Sequence, residues 1–382
     1  MANPASPLPP PDPLAAGHSA RLRDLIVERI VAAGGWIPFD RYMELALYAP
    51  GLGYYAAGAR KFGDAAAGGD FVTAPEISPL FASALAAQVA QAFAHTPARI
   101  VEFGAGSGAL ARDLLAALAA RGVAVERYSI VELSPDLAAR QRALLDGRDV
   151  EWLAAPPRGF DGVMLANEVL DVMPVRLFVM RGRAPRERGV GLRGDALALV
   201  EGDADTELSE AVAAIEGEVG ELPDGYGSEV GFAGQAWMRS AADWLGRGVL
   251  LAIDYGFPRR EYYHPQRLMG TLMCHYRHRA HADPLWLPGL NDITAHVDFT
   301  AMADAAHGAG LDVLGYTSQA RFLMNCGLLD QLGAGHSLQR ANEVQRLLSE
   351  AEMGELFKVL AVGRGMPEPL LGFANGDRTA RL

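Results

Sequence analysis

Cysteine and lysine are scarce in this chain of 382 residues. Cys274 and Cys326 are the only cysteines. Their spacing makes neither a disulfide framework nor a zinc-type motif, so both are expected as idle thiols, and no metal site is expected. Lys61 and Lys358 are the only lysines among 34 basic residues, and no arginine run is long enough to form a basic patch. With 46 acidic residues the net charge is −12. Such a surface repels phosphate, which argues against nucleic acid as the main partner. No run of about eighteen apolar residues occurs, so no membrane span is expected. The first twenty residues hold no Lys or Arg and no apolar stretch, which fits neither a secretory nor a mitochondrial targeting pattern. The cytoplasm is the expected location.

Half of the residues are apolar and about a fifth are charged, a globular composition with ample material for a core. The length suits one large domain with additions, or two domains. Residues 1–18 begin rich in proline and are expected to be a disordered lead-in. Residues 19–95 read as a helical and irregular region, with Leu22, Leu25, Ile26 and Ile30 at helical spacing before Gly34-Gly35. From Arg99 the pattern alternates between short apolar strands and helices. Strands are expected at 99–103, 126–132, 150–153, 162–167 and 249–254, with helices at 109–120 and 135–145. This alternation predicts an α/β fold with a parallel sheet covered on both faces. Residues 96–174 and 246–366 form the expected core. An insertion over 175–245 reads as a β-rich ribbon closed by a helix at 234–245. Two late strands follow at 311–316 and 357–363, and 367–382 is a tail.

Val101 to Gly108 is the most specific motif. It follows a strand and opens a helix, and Gly104, Gly106 and Gly108 let the backbone turn tightly against a ligand. Gly104, Gly106 and Ala109 also satisfy the dinucleotide fingerprint, so an NAD-dependent oxidoreductase is a rival to an S-adenosyl-L-methionine enzyme. Three features favour the second. Glu102 stands just before the loop. Glu132, the next acidic strand end, lies 28 residues past Gly104, longer than the roughly 20 of a dinucleotide site. About a hundred residues precede the loop. Glu132 is expected to hold a ribose, with Leu133 beside it and Trp152 or Leu153 flanking an adenine at the third strand's end.

A second acidic cluster, Asn167 to Pro174, follows the fourth strand and should face the same cleft. Glu168 and Asp171 are three apart, so one backbone turn brings both carboxylates to one side. Methyl transfer from a sulfonium needs an acceptor held in line. Two carboxylates can clamp the planar, cationic guanidinium of an arginine and turn one nitrogen toward the methyl group. Other candidates are Asp254 and Tyr255 after the fifth strand, and His296 within the polar run 291–299. Asp70, Thr73 and Glu76 lie in Gly69–Ser78, which could equally cap the next helix.

Together these segments resemble the MidA-like methyltransferases. The matching pieces are Tyr48–Tyr55, Gly69–Ser78, Glu102–Gly108, Asn167–Pro174, Asp254–Gly256 and Asp292–Phe299, spread over about residues 20 to 365. The resemblance implies a Rossmann-like, seven-stranded class I methyltransferase fold with S-adenosyl-L-methionine at Gly104, Gly106 and Glu132. It also implies a protein partner, because the mitochondrial branch is associated with assembly of respiratory complex I and arginine dimethylation of one of its subunits. The reading is an arginine methyltransferase acting on a partner protein, such as a respiratory complex subunit. A non-catalytic assembly chaperone that binds the cofactor is the other alternative.

Overall fold

The computed structural model describes residues 8–57, 73–332, 337–349, 352–367 and 369–382. The chain divides into two compact units. One comprises Val72–Met173, Gly231–His264 and His296–Leu382, the other Met1–Phe71, Pro174–Val230 and Pro265–Ala295.

The first unit is built on seven strands: β1 (Arg99–Phe103), β2 (Arg127–Val131), β3 (Val150–Leu153), β4 (Phe160–Asn167), β5 (Leu245–Phe257), β6 (Asp312–Ser318) and β7 (Phe357–Arg364). They lie in the order β6-β7-β5-β4-β1-β2-β3. The five from β5 to β3 are parallel, and β7 runs antiparallel between β5 and β6. This is the parallel sheet that the alternating pattern predicts, in the seven-stranded form with a late strand pair that the family resemblance implies. Val297–Asp298 adds a short parallel pairing beside Gly256–Phe257.

Five helices matter to the site: α1 (Pro79–Phe93), α2 (Ala109–Ala120), α3 (Pro135–Leu144), α4 (Phe232–Trp244) and α5 (Phe299–Gly308). Parallel strands are buried on both faces and so read as nearly continuous apolar runs. Strand alternation nevertheless sorts their residues between two cores. Ile100, Val163, Leu165, Val249 and Leu251 join α1 and α2 in one core. Val101, Phe103, Met164, Ala166 and Leu250 join α4 and α5 in the other. Because the five parallel strands point the same way, Phe103, Val131, Leu153, Asn167 and the Asp254 region gather along one edge. Ligands of open α/β sheets bind beyond that edge.

The second unit contains a five-stranded antiparallel sheet. Its ribbon of Arg176–Arg181, Ala184–Arg193 and Ala196–Asp203 pairs with Trp36–Pro38 on one side and Gly227–Val230 on the other. The Trp36 ring occupies space that side chains at Gly189 and Gly202 would fill, since a Cβ there would lie 2.3 and 3.0 Å from the indole. A three-stranded sheet of Met273–Tyr276, Arg279–His281 and Asp292–Thr294 completes the unit.

Several boundaries differ from those expected. The first helix starts at Pro13, inside the supposed lead-in, because Asp12 caps it by accepting from Ala15 N–H at 2.9 Å and Pro13 suits the first turn. The strand-rich part of the insertion ends at Val230, and α4 packs Met238 and Ala241 into the second core instead. The tail is folded onto the sheet unit, with Leu370 and Phe373 buried. Among the described residues no helix is long and apolar enough to cross a membrane, and no His, Cys, Asp and Glu group could hold a metal.

Candidate active site

Three glycines shape the first turn. Gly104, Gly106 and Gly108 have φ of +58°, +54° and +87°, a region where any other L-residue is strained. The Gly104 N–H donates to Val131 O at 3.0 Å, which ties the loop to β2. A Cβ at Gly104 would meet Val169 Cγ2 at 3.4 Å, and one at Gly108 would meet Leu144 Cδ2 at 3.4 Å.

Glu102, one residue from the end of β1, is buried and accepts a 2.6 Å hydrogen bond from Tyr128 Oη. Burial raises its pKa to about 7, against the lowering effect of that bond. Glu132 sits just past β2. Its carboxylate accepts from Ser134 N–H at 2.9 Å and from Gln141 Nε2 at 2.8 Å. Burial raises its proton affinity and these bonds oppose the rise. Leu133, beside it, is 80% exposed, unusual for a leucine at a strand end. Trp152 on β3 donates its indole N–H to Gln141 Oε1 at 2.9 Å and carries Arg142 over its ring at 4.8 Å.

The second cluster begins where β4 ends. Glu168 has φ of +53°, a conformation that non-glycine residues hold only under constraint from their surroundings. Its N–H donates to Ile253 O at 2.9 Å, and its Oε1 accepts from Asn167 Nδ2 at 3.2 Å. It also accepts from the Ala74 backbone N–H. Burial, with the charges of Asp171 and Glu76, pushes its pKa up to about 8. Asp171 is buried, and its Oδ2 accepts the hydroxyl hydrogen of Tyr255. Burial raises its pKa to about 6, with the Tyr255 bond pulling the other way. Among the described residues Asp171 Oδ1 and Asn167 Oδ1 are buried acceptors with no donor.

Asp254 has a different task from the one expected of it. One oxygen accepts from the backbone N–H groups of Val169, Leu170 and Asp171 at 3.1, 2.9 and 3.3 Å, and the other from Tyr255 N–H at 2.9 Å. The carboxylate is thus consumed in clamping the 168–171 turn. His296 lies stacked on Phe257 at 5.3 Å and edge-on to Tyr255 at 5.0 Å. The polar run around it divides, for Asp292 belongs to the other unit and accepts from Tyr55 Oη at 2.9 Å. Thr73 and Glu76 form a capping box at the start of the short helix Ala74–Ile77, the alternative role considered for that segment. Asp70 lies outside the described residues. The strand ends therefore bring together Glu102, the three glycines, Glu132, Leu133 and Trp152 on one side, and Asn167, Glu168, Asp171 and Tyr255 on the other.

Two features escaped the sequence reading. Gln141 shares the buried side of α3 with Leu137 and Ala138 and contacts three separate strand ends. A glutamine on an otherwise apolar helix face was the available signal, because a buried amide must find partners. Tyr128 was the other, hidden as one more apolar residue of β2.

A family model described as "Putative S-adenosyl-L-methionine-dependent methyltransferase" matches residues 84–317. The chain belongs to that family. Among solved structures, a superfamily member from Burkholderia thailandensis bound to S-adenosyl-homocysteine is 52% identical. The match has a TM-score of 0.94 and covers 98% of this chain and 100% of that one. A native crystal structure of an uncharacterized superfamily protein from the same organism matches with 50% identity, a TM-score of 0.91 and the same coverage. The mitochondrial protein arginine methyltransferase NDUFAF7 of Danio rerio is 28% identical, over 88% of this chain and 85% of the relative. Its Homo sapiens counterpart is 27% identical over 92% and 85%. Family membership decides the question that the glycine loop left open: the enzyme is an S-adenosyl-L-methionine-dependent methyltransferase of the class I fold.

Proposed function

We propose that this methyltransferase modifies an arginine side chain of a partner protein. The observation that carries the reading is the pair of buried acceptors Asp171 Oδ1 and Asn167 Oδ1 beside Glu168, without a donor among the described residues. The charges acting on Glu168 are those of Asp171 and Glu76, and those acting on Asp254 are Asp171 and Glu168. Such a cluster calls for a ligand that is cationic and only donates. A guanidinium has five N–H donors, no acceptor and a permanent charge. The relatives named as protein arginine methyltransferases support the same class of acceptor.

The residues of the chain fit S-adenosyl-L-methionine on the other side. The left-handed turn at Gly104, Gly106 and Gly108 leaves room for its methionyl end near the N-terminus of α2, with Glu102 below. Glu132 accepts from the ribose hydroxyls. Leu133 and Trp152 flank the adenine, and Asn167 lies between the cofactor and the acceptor. When bound, the cofactor supplies an electrophilic methyl group. Glu168 and Asp171 hold the guanidinium through paired N–H···O bonds. Tyr255 fixes Asp171, and His296 backs the Tyr255 ring. As the new N–C bond forms and the S–C bond breaks, the attacking nitrogen gives up a proton, which Glu168 accepts. Thr73 and Glu76 support this geometry by holding the Ala74 N–H against Glu168.

Incubation with methyl-labelled cofactor and a protein extract, followed by acid hydrolysis of the labelled proteins, tests the acceptor. Label is expected in methylarginine. Label in methyl-lysine or in base-labile methyl esters would overturn the assignment.

A further inference from the structure

Gln141 is fully buried on α3, yet its amide is not idle. Its Nε2 donates to Glu132 Oε2 at 2.8 Å and to Gly106 O at 3.0 Å, and its Oε1 accepts from Trp152 Nε1 at 2.9 Å. These partners come from the glycine loop after β1, the end of β2 and β3. Their chemistry fixes the amide in one orientation. A carboxylate and a carbonyl only accept, and an indole N–H only donates. Flipping the amide would set its carbonyl against two acceptors and its NH2 against a donor. All three bonds would be lost at once in a buried site, where unpaired polar groups are costly.

We propose that Gln141 is the positioning residue that locks the ribose-binding carboxylate, the glycine loop and the adenine-side indole into one cofactor cradle. The proposal rests on the assignment of Glu132 to the ribose and Trp152 to the adenine. Glu132 is half-buried, and the loss of solvent around it favours its protonated form. The bonds from Gln141 and Ser134 oppose that and keep both oxygens available as acceptors. The same amide ties down the Gly106 carbonyl, so loop and ribose site cannot move apart.

Gln141→Glu tests this with a charge that can be switched. Above neutral pH the new carboxylate faces Glu132 and the Gly106 carbonyl and repels both. At lower pH it takes up a proton and regains a donor toward Glu132. Calorimetric titration with S-adenosylhomocysteine at pH 8 and pH 5.5 should therefore show affinity weakened by at least about tenfold at pH 8 and largely recovered at pH 5.5. Gln141→Met, close in shape but unable to hydrogen-bond, should bind weakly at both pH values, and its thermal unfolding temperature should fall as well because three partners lose their bonds. A Kd within twofold of the parent at pH 8 for both variants would overturn the proposal. So would equal weakening of Gln141→Glu at the two pH values, since that signals disrupted packing only. Glu132→Ala separates the premise from the proposal. If that variant binds normally, the ribose assignment fails. If it binds weakly while both Gln141 variants bind normally, only the role of Gln141 fails.

Discussion

Tyr255 donates its hydroxyl hydrogen to Asp171 Oδ2, leaving Asp171 Oδ1 buried and donorless among the described residues. The tyrosine therefore does two things for the carboxylate. It fixes the plane of the group, and it partly offsets the burial that favours the protonated form. The free oxygen is then aimed by a group on a neighbouring strand.

Tyr255→Phe removes this bond and little volume. Asp171, with a pKa of about 6, should then titrate higher, because the tyrosine lowers it. We expect kcat to fall by about 10²-fold, as for loss of a positioned charge-assisted bond. The acidic limb of the pH–rate profile should move to higher pH, while S-adenosylhomocysteine binds as before. An unmoved limb in steady-state assays across pH 5–9 would separate Tyr255 from Asp171.

Glu168→Gln should keep cofactor affinity and lose methyl transfer, because the amide can neither carry the charge nor accept the proton. The parent enzyme should gain kcat/KM as pH rises toward 8, where Glu168 ionises. Stability runs the opposite way. Glu168 has a folded pKa of about 8, above its ordinary 4.5, so the folded state binds its proton more tightly. That contribution is complete below pH 4.5 and is lost as pH rises through 8. Glu168→Gln should thus exceed the parent in stability by about 2 kcal/mol at pH 8.5, allowing for partial solvent screening, and match it at pH 4. Urea unfolding at the two pH values measures the difference.

Gly104→Ala probes the loop with the smallest possible side chain. At φ of +58° the methyl group strains the backbone by about 1–2 kcal/mol and meets Val169 Cγ2 at 3.4 Å. The fold should survive with a Tm a few degrees lower. Affinity for S-adenosylhomocysteine should drop by at least about tenfold, because the loop closes onto ligand space. Retained affinity in calorimetry would show that the cofactor lies elsewhere.

The sheet and its ligand edge were legible because parallel strands and glycine turns leave local marks. Ile100-Val101, Val163 to Ala166 and Val249 to Ile253 are apolar runs that only burial on both faces explains. Gly104, Gly106 and Gly108 signal positive φ directly. What the sequence hid was nonlocal use of polar groups. Asp254 looked like a cleft carboxylate, but the backbone of residues 169–171, more than eighty positions away, consumes it. His296, a candidate from its polar run, lies against the rings of Tyr255 and Phe257, neighbours that the local sequence did not reveal. The helix at Pro13 was masked by the proline-rich composition before it, although Asp12-Pro13 is itself a helix start.

In the unit with the five-stranded sheet, Arg176 is buried against Glu187. The pair is bidentate, with Nε to Oε1 at 2.8 Å and Nη2 to Oε2 at 2.6 Å, and Asp205 stands 3.0 Å from the same guanidinium. These bonds push the arginine pKa up and hold it charged. A buried pair of this kind gives little net stability over apolar replacements, but removing one partner strands the other charge. Arg176→Met should therefore lose about 3–5 kcal/mol, since Glu187 remains buried with its main partner gone. Arg176→Met combined with Glu187→Leu should recover most of that loss, because both charges leave together. Urea unfolding of the two variants decides the matter. A double variant no more stable than the single one would mean that the guanidinium holds the ribbon mainly through Asp205 and Glu207, which also surround it.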